Sequence, residues 1–298
     1  MRLDQGINDY LPPNGGITSR IAPTPSGFLH AGNAYNFILT YLLTRSVNGI
    51  LHLRIDDYDL GRYRQEFVQN IFDVLEFLGL EYDKGPISVS DFERNFSFKI
   101  RAKRYEDVLE KLDEIYICKC SRTTKNAYKN GIYTKICKNK NLKFIKDKTA
   151  IRLSVDEGDS LGKLVAEQMG DFVIYKKDFT PAYNFASVID DEDMGVNLVI
   201  RGEDLLPCTL AQRYLAKRLN FGFFNANFIH HKLLLKDDKK LSKSSKSAPI
   251  NLKDSPKIYY KILANDLGLD IKSTDKIQNL LYEFKLKNIA KKFLQSMS

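Results

Sequence analysis

Four groups of side chains in this sequence have the types and spacing to do chemistry. The first is the stretch Ser19–Asn33, S-R-I-A-P-T-P-S-G-F-L-H-A-G-N. Arg20–Ala22 reads as a short strand, and Pro23, Pro25 and Gly27 then disfavour regular structure. Apolar periodicity resumes at Tyr35, Phe37, Ile38, Tyr41, Leu42 and Leu43, so a helix begins near Asn33. A strand, a stiff corner and a helix N-terminus together offer backbone N–H groups and a positive dipole end to a phosphate. Gly32 allows close approach to the main chain, and His30 adds a titratable donor beside it. The competing reading is an ordinary βα loop.

The second group is Gly49-Ile-Leu-His-Leu-Arg-Ile-Asp-Asp57. It reads as a buried strand that delivers Asp56, Asp57 and Asp59 to the carboxyl edge of a parallel sheet, where open α/β folds bind ligands. A solvated loop or a helix cap would use the same aspartates. The third group is Cys118, Cys120, Tyr133 and Cys137, spaced C-x-C-x12-Y-x3-C. Three thiolates can hold Zn2+; Tyr133, a water or a remote side chain would close the tetrahedron, and three reduced, partly buried cysteines are the alternative. The fourth is Lys236-Asp-Asp-Lys-Lys-Leu-Ser-Lys-Ser-Ser-Lys246, expected as a mobile basic loop able to close over phosphates, or a solvated turn.

The elements that must position these groups follow from pattern. Arg64–Leu78 carries Phe67, Ile71, Val74, Leu75 and Leu78 on one helical face, taken as core. Leu80–Asp83 reads as a short strand and Asn95–Leu112 as a basic helix. Ala150–Val155, Asp171–Tyr175, Ala182–Ile189, Asn197–Asp204 and Ala226–Leu235 read as strands, Thr209–Leu219 as a helix and Ser255–Ser298 as amphipathic helix. Residues 1–18 read as an irregular arm. The 298 residues suffice for a large α/β domain with smaller attachments. No apolar run approaches membrane-spanning length and no secretory pattern is present, so a cytoplasmic protein without membrane partners is expected. Lysine and arginine exceed aspartate and glutamate by 9 (46 − 37), which favours a polyanionic partner, although a lysine-rich genome would produce the same excess.

Two distant segments resemble one family. H-A-G-N at 30–33, after R-I-A-P-T-P-S-G, is similar to the HIGH signature of class I aminoacyl-tRNA synthetases in its glutamyl form, and Lys240-Leu-Ser-Lys-Ser244 is similar to the KMSKS signature. L-R-I-D-D-Y-D at 53–59, Arg62, P-A-Y-N-F-A at 181–186, D-D at 190–191 and V-I-R-G-E-D at 199–204 also match, so the likeness runs from Ser19 to about Ile250. The resemblance implies a Rossmann-like α/β parallel-sheet catalytic core interrupted by an inserted α+β acceptor-binding-type subdomain. The implied segments are an arm at 1–18, catalytic halves at 19–100 and 192–250, an insertion at 101–191 and a short helical C-terminal region at 251–298.

By resemblance, His30, Gly32, Asn33, Lys240, Ser242 and Lys243 hold ATP with Mg2+, and His30, Lys240 and Lys243 are catalytic. Arg20, Ala22, Thr24, Asp56, Tyr183 and Arg201 form the glutamate pocket. Asp56 is one methylene shorter than the family's glutamate, and Thr24 replaces a serine. The Cys118, Cys120, Tyr133, Cys137 pattern is similar to that of the truncated glutamyl paralogue, which attaches activated glutamate to the queuosine base of tRNA(Asp). Only 54 residues follow Ser244, short of an anticodon-binding region. A monomer is the expected state. A short synthetase charging the tRNA 3′ end, a non-catalytic RNA-binding paralogue and a nucleotidyltransferase are the competing readings.

Overall fold

The structure is a computed structural model and describes residues 16–236, 239–240, 248–269 and 276–290. Along the chain come β1 (Thr18–Ile21), α1 (Ala31–Ser46), β2 (Ile50–Leu53), α2 (Gln65–Phe77), α3 (Val89–Asp91) running into a π-turn, and α4 (Phe98–Leu109). Next are β3 (Ile115–Cys118), β4 (Tyr128–Lys129), β5 (Ile132–Tyr133), β6 (Ala150–Leu153), α5 (Ser160–Gln168), β7 (Val173–Tyr175) and α6 (Tyr183–Asp193). Then follow β8 (Leu198–Gly202), α7 (Leu206–Arg218), β9 (Asn227–His231), β10 (Leu235–Lys236), β11 (Lys239–Lys240), α8 (Lys257–Asp266) and α9 (Ile277–Leu286). The chain divides into two compact units. One comprises residues up to Ile100, Val196–Glu203 and the chain from Ala226; the other comprises Arg101–Gly195 and Asp204–Asn225.

The first unit is built on parallel strand pairs. β1 and β2 pair from Thr18–Ile50 to Ile21–Leu53, and β8 and β9 pair from Leu198–Asn227 to Gly202–His231. Asn197 ties the starts of β1 and β8, its N–H donating to the Thr18 carbonyl at 3.0 Å and its Oδ1 accepting from the Thr18 N–H at 2.9 Å. Every residue of α1 from Phe37 to Thr44 is buried, which is the pattern of a helix covered on all sides. It packs against β1, β2 and β8 and against α8 and α9. Two polar side chains survive there because the Thr40 and Thr44 hydroxyls donate to the carbonyls of Asn36 and Thr40, each at 2.7 Å. Past the helix end, a Cβ on Gly49 would sit 2.6 Å from the Ile17 carbonyl oxygen, so only glycine lets the chain turn into β2. The Tyr260 hydroxyl of α8 donates to the Leu78 carbonyl at 2.9 Å, docking the C-terminal helices.

The second unit has an antiparallel sheet in the order β3-β6-β7, with α5, α6 and α7 packed in the same unit. β4 and β5 form a hairpin across Asn130-Gly131, both at positive φ (51° and 81°), the Asn-Gly combination that favours a type I′ turn.

Several expected elements differ. Ala182–Ile189, expected as a strand, belongs to helix α6: Phe185–Asp191 is buried throughout, and a short run buried on all sides has neither period. The strand expected over Gly49–Asp57 ends as a regular strand at Leu53, after which the buried chain keeps only backbone bonds from Arg54 and Asp56 to the segment after β1. Leu80–Asp83 is not a strand; a single bridge joins Lys84 to His52. The helix expected over Asn95–Leu112 is split at Ser97, whose N–H closes a π-turn on the Phe92 carbonyl at 2.9 Å. The C-terminal helix is two helices, α8 and α9. The arm at residues 1–15 lies outside the described residues.

Candidate active site and cysteine cluster

His30 is the N-cap of α1, in extended conformation at φ −127° and ψ 174°. Its Nδ1 accepts from the Gly32 N–H at 3.1 Å, and its own N–H donates to Asn33 Oδ1 at 3.0 Å, a reciprocal cap. An accepting Nδ1 puts the neutral ring's proton on Nε2. Of the six residues expected to hold ATP, His30, Gly32 and Asn33 are brought together here, with the Gly32 N–H and the Asn33 side chain engaged in shaping the corner. Leu29 is fixed on both sides. Its N–H donates to Asn70 Oδ1 of α2 at 2.9 Å, and its carbonyl accepts from the Ile250 N–H at 2.9 Å. His30 also bridges Pro249. The chain that follows the Lys240–Ser244 segment thus returns to the His30 corner. The backbone of Lys240 lies in β11; Ser242 and Lys243 lie outside the described residues.

Asn36, on the first turns of α1, donates to the Ile200 carbonyl at 3.2 Å and lies 3.1 Å from His231 Nε2. His231 Nδ1 is 2.8 Å from the Lys232 carbonyl, which can only accept, so Nδ1 carries the proton and Nε2 accepts from Asn36. The corner is in this way tied to β8 and β9.

Arg20 on β1 and Arg201 on β8 are both buried, 5% and 4% exposed. Arg201 lies over the Phe228 ring, 5.0 Å from its centroid. It is in register with His230, whose pKa is lowered by burial first and then by the charge of Arg201. Beyond β1 and β2 the parallel course continues: the Arg54 N–H donates to the Ile21 carbonyl and the Asp56 N–H to the Pro23 carbonyl, each at 2.9 Å. This brings Asp56 beside Ala22–Thr24. Its carboxylate is held by Arg54, with Nε to Oδ1 at 2.7 Å and a second contact at 3.3 Å, both side chains 2% exposed. The expected ammonium partner is therefore a member of a buried ion pair. Asp57 accepts from the Phe98 N–H at 2.9 Å and lines a cavity of about 180 Å³ with Tyr63, Glu93 and Lys99. Asp59 pairs with Arg62 at 2.5 Å in the same loop. Tyr183 is the first residue of α6, in the second unit.

In the second unit the sulfurs of Cys118, Cys120 and Cys137 lie within 4.8 Å of one another, all buried. Cys120 and Cys137 Sγ are 3.6 Å apart, and the Tyr133 hydroxyl is 3.2 Å from Cys118 Sγ and 3.7 Å from Cys120 Sγ. The four spaced side chains are therefore one cluster. Around a tetrahedral zinc with Zn–S of ~2.3 Å, sulfur edges would be about 3.8 Å, so the donor set fits such an ion. The Cys137 N–H donates to the Tyr133 oxygen at 3.1 Å, and the Arg152 guanidinium lies 3.7 Å from the Tyr133 ring centroid. Arg152 is oriented by bonds to the Asp171 carbonyl at 2.7 Å and the Tyr128 hydroxyl at 2.6 Å. Its charge would offset part of the negative charge that thiolates bring if the cluster held a metal. Burial pushes the Cys120 thiol up to about 11. Burial acts the same way on Cys137, but hydrogen bonds from Tyr133, the Lys119 backbone and Cys120 outweigh it and bring it to about 7.

Residues 16–257 match the model of the tRNA synthetases class I (E and Q), catalytic domain. The chain belongs to this family. Among curated relatives, a glutamyl-Q tRNA(Asp) synthetase of Pseudomonas fluorescens is 34% identical over 257 residues, covering 82% of this chain and 82% of that one. A glutamate–tRNA ligase of Sulfurihydrogenibium sp. is 33% identical over 252 residues, covering 75% of this chain and 52% of that one. The fold resembles a glutamate-tRNA synthetase from Elizabethkingia anophelis (TM-score 0.68, 20% identity), with 93% of this chain aligned to 66% of that chain. This class I synthetase has no helix, among the described residues, long and apolar enough to cross a membrane.

Asn70, Arg54 and Asn36 are site-shaping residues that the sequence reading missed. Asn70 had a signal: it sits among Phe67, Ile71 and Val74 on the face taken as core, where a polar side chain needs a partner.

Proposed function

We propose that this chain activates glutamate with ATP and transfers it to the queuosine base of tRNA(Asp). The glutamate α-carboxylate attacks the α-phosphorus, the bond to the β-phosphate oxygen breaks, and glutamyl-adenylate and pyrophosphate form. A hydroxyl of the nucleic acid then attacks the acyl carbon and AMP leaves. Charge grows on phosphoryl oxygens in the first step, which calls for donors and cations set in advance. His30 Nε2–H and the α1 N-terminus would serve, together with Lys240 and Lys243. Mg2+, bound through the triphosphate, would neutralise phosphate charge. Arg20 and Arg201 would pair with the substrate carboxylates, for which a guanidinium fork is suited. Asp56, Ala22 and Thr24 would complete the pocket, with Asp56 taking the ammonium while oriented by Arg54. Cys118, Cys120, Cys137 and Tyr133 would hold a structural zinc.

The observation that carries the reading is the Leu29–Ile250 hydrogen bond, through which the chain beyond the K-L-S-K-S segment meets the H-A-G-N corner. The choice of queuosine is supported by the names of the relatives matched over most of their length and by the C-x-C-x12-Y-x3-C resemblance. The test is glutamate-dependent ATP–pyrophosphate exchange without tRNA, followed by transfer of labelled glutamate to tRNA(Asp) with and without queuosine. Exchange without RNA and labelling only of the queuosine form are expected; no exchange under any condition would sink the enzyme reading. A second reading, charging of the tRNA 3′ end, draws on the 33% identity to a glutamate–tRNA ligase. It predicts labelling of both tRNA forms.

A further inference from the structure

The segment between β3 and β6 is far more basic than the rest of the chain. Lys119, Arg122, Lys125, Lys129, Lys138, Lys140, Lys143, Lys146 and Lys148 are all exposed, against one acid, Asp147, over residues 119–148. Lys135 is the tenth cation and pairs with Glu157. Charge alone would suit any polyanion.

A second feature lies within this field. Phe179 occupies the tip of the β7–α6 turn at φ +59°, a left-handed conformation that favours glycine and is an outlier for a bulky residue. The turn holds it there: the Phe179 N–H donates to the Lys176 carbonyl at 3.1 Å, and the Lys176 N–H to the Thr180 carbonyl at 2.8 Å. Asp178 Oδ1 accepts from the Thr180 N–H at 3.0 Å. The residue is 38% exposed, and its ring contacts are aromatic, Tyr175 at 5.0 Å and Phe144 at 5.3 Å between centroids. Phe144 belongs to the basic segment, and Ile145 beside it is 52% exposed. The two loops are stitched together, the Asp147 N–H donating to the Lys177 carbonyl at 2.6 Å and Lys177 Nζ to the Lys119 carbonyl at 3.2 Å. An exposed ring is thereby held rigidly, at a conformational cost, beside a run of lysines.

We propose that Phe179, backed by Phe144, is a stacking platform for an unpaired RNA base, with Lys143, Lys146 and Lys148 tracking the adjoining phosphates. Aromatic rings beside cations are the recurring means of holding single strands, because every base has a π-face whereas a paired stem does not expose one. A flexible exposed phenylalanine would lose more rotamer and backbone freedom on binding than this one does. The inference deepens the reading above, in which the partner is a tRNA, but its test uses neither glutamate nor ATP, so each can fail alone.

The chain has no tryptophan, so Phe179→Trp supplies a single fluorescent reporter. A short oligouridylate is expected to quench it, and an RNA duplex of equal phosphate number to leave it nearly unchanged. In anisotropy titrations of the full chain, Phe179→Ala is expected to weaken oligouridylate binding about fivefold or more, the low end for one stacked base, and to spare duplex binding. Replacing Lys143 and Lys146 by Gln is expected to lower the slope of log K against log salt by about 1.4 on the single strand. Absence of quenching in the Phe179→Trp variant, or equal losses on both probes for Phe179→Ala, would overturn the proposal, and the fluorescence result stands even if the alanine variant does not fold.

Discussion

The backbone of Leu29 is held between Asn70 and Ile250: its N–H donates to the Asn70 side chain and its carbonyl accepts from the Ile250 N–H, both at 2.9 Å. His30 is the next residue, so its ring inherits that position. Asn70→Leu leaves the buried Leu29 N–H without its acceptor, at an expected cost of ~1–3 kcal/mol. Denaturant unfolding should record that loss. Glutamate-dependent exchange should fall through kcat more than through KM for glutamate, and Asn70→Asp, which keeps an acceptor, should restore part of both. An Asn70→Leu enzyme with unchanged kcat would show that the clamp does not position His30.

The Arg54–Asp56 pair is buried on both sides, so removing one partner strands the other charge. Arg54→Met and Asp56→Ala should each destabilise by ~3–5 kcal/mol, while the double variant should lose much less than the sum. A thermodynamic cycle from urea unfolding tests this. Additive losses would mean that the two side chains do not act as a pair.

His230 has its pKa lowered in the folded chain, by burial and by Arg201, from an ordinary value of 6.5. Below that value the unfolded chain takes up a proton that the folded chain resists, so stability is present above about pH 6.5 and declines as pH falls through it. The wild type should lose more melting temperature between pH 7.5 and 5.5 than His230→Gln does. Parallel curves for the two proteins would remove His230 as the cause.

For the cysteine cluster, metal analysis should find about one zinc per chain, released by a strong chelator with a fall in melting temperature. Cys118→Ser and Cys120→Ser should abolish the binding. Tyr133→Phe keeps three thiolates and should weaken the site rather than remove it. A metal-free wild type of unchanged stability would refute the zinc reading.

What could be read in advance follows from how local each signal is. The His30 corner needs Pro23, Pro25, Gly27 and Gly32 within a short stretch of chain, and the cysteine cluster needs its spacing, so both are legible as motifs. The α6 segment is not, because a helix buried on all sides shows no period. Arg54 stands in the L-R-I-D-D-Y-D motif, but its pairing with Asp56 is not legible there, because a pair two residues apart has meaning only once the chain after Leu53 leaves the strand. Asn70 is visible as a polar residue in an apolar stripe, yet the stripe reads as core and hides it. The expected roles of Ser242 and Lys243 fall on residues outside those described.

The threonine hydroxyls folded back onto the α1 carbonyls leave that helix with no polar group awaiting solvent along its middle turns. Amide protons from Leu39 to Leu43 should consequently be among the last in the chain to exchange with deuterium. The His30 corner is thereby mounted on the end of a helix buried from Phe37 to Thr44, and loosening that helix would loosen the corner with it.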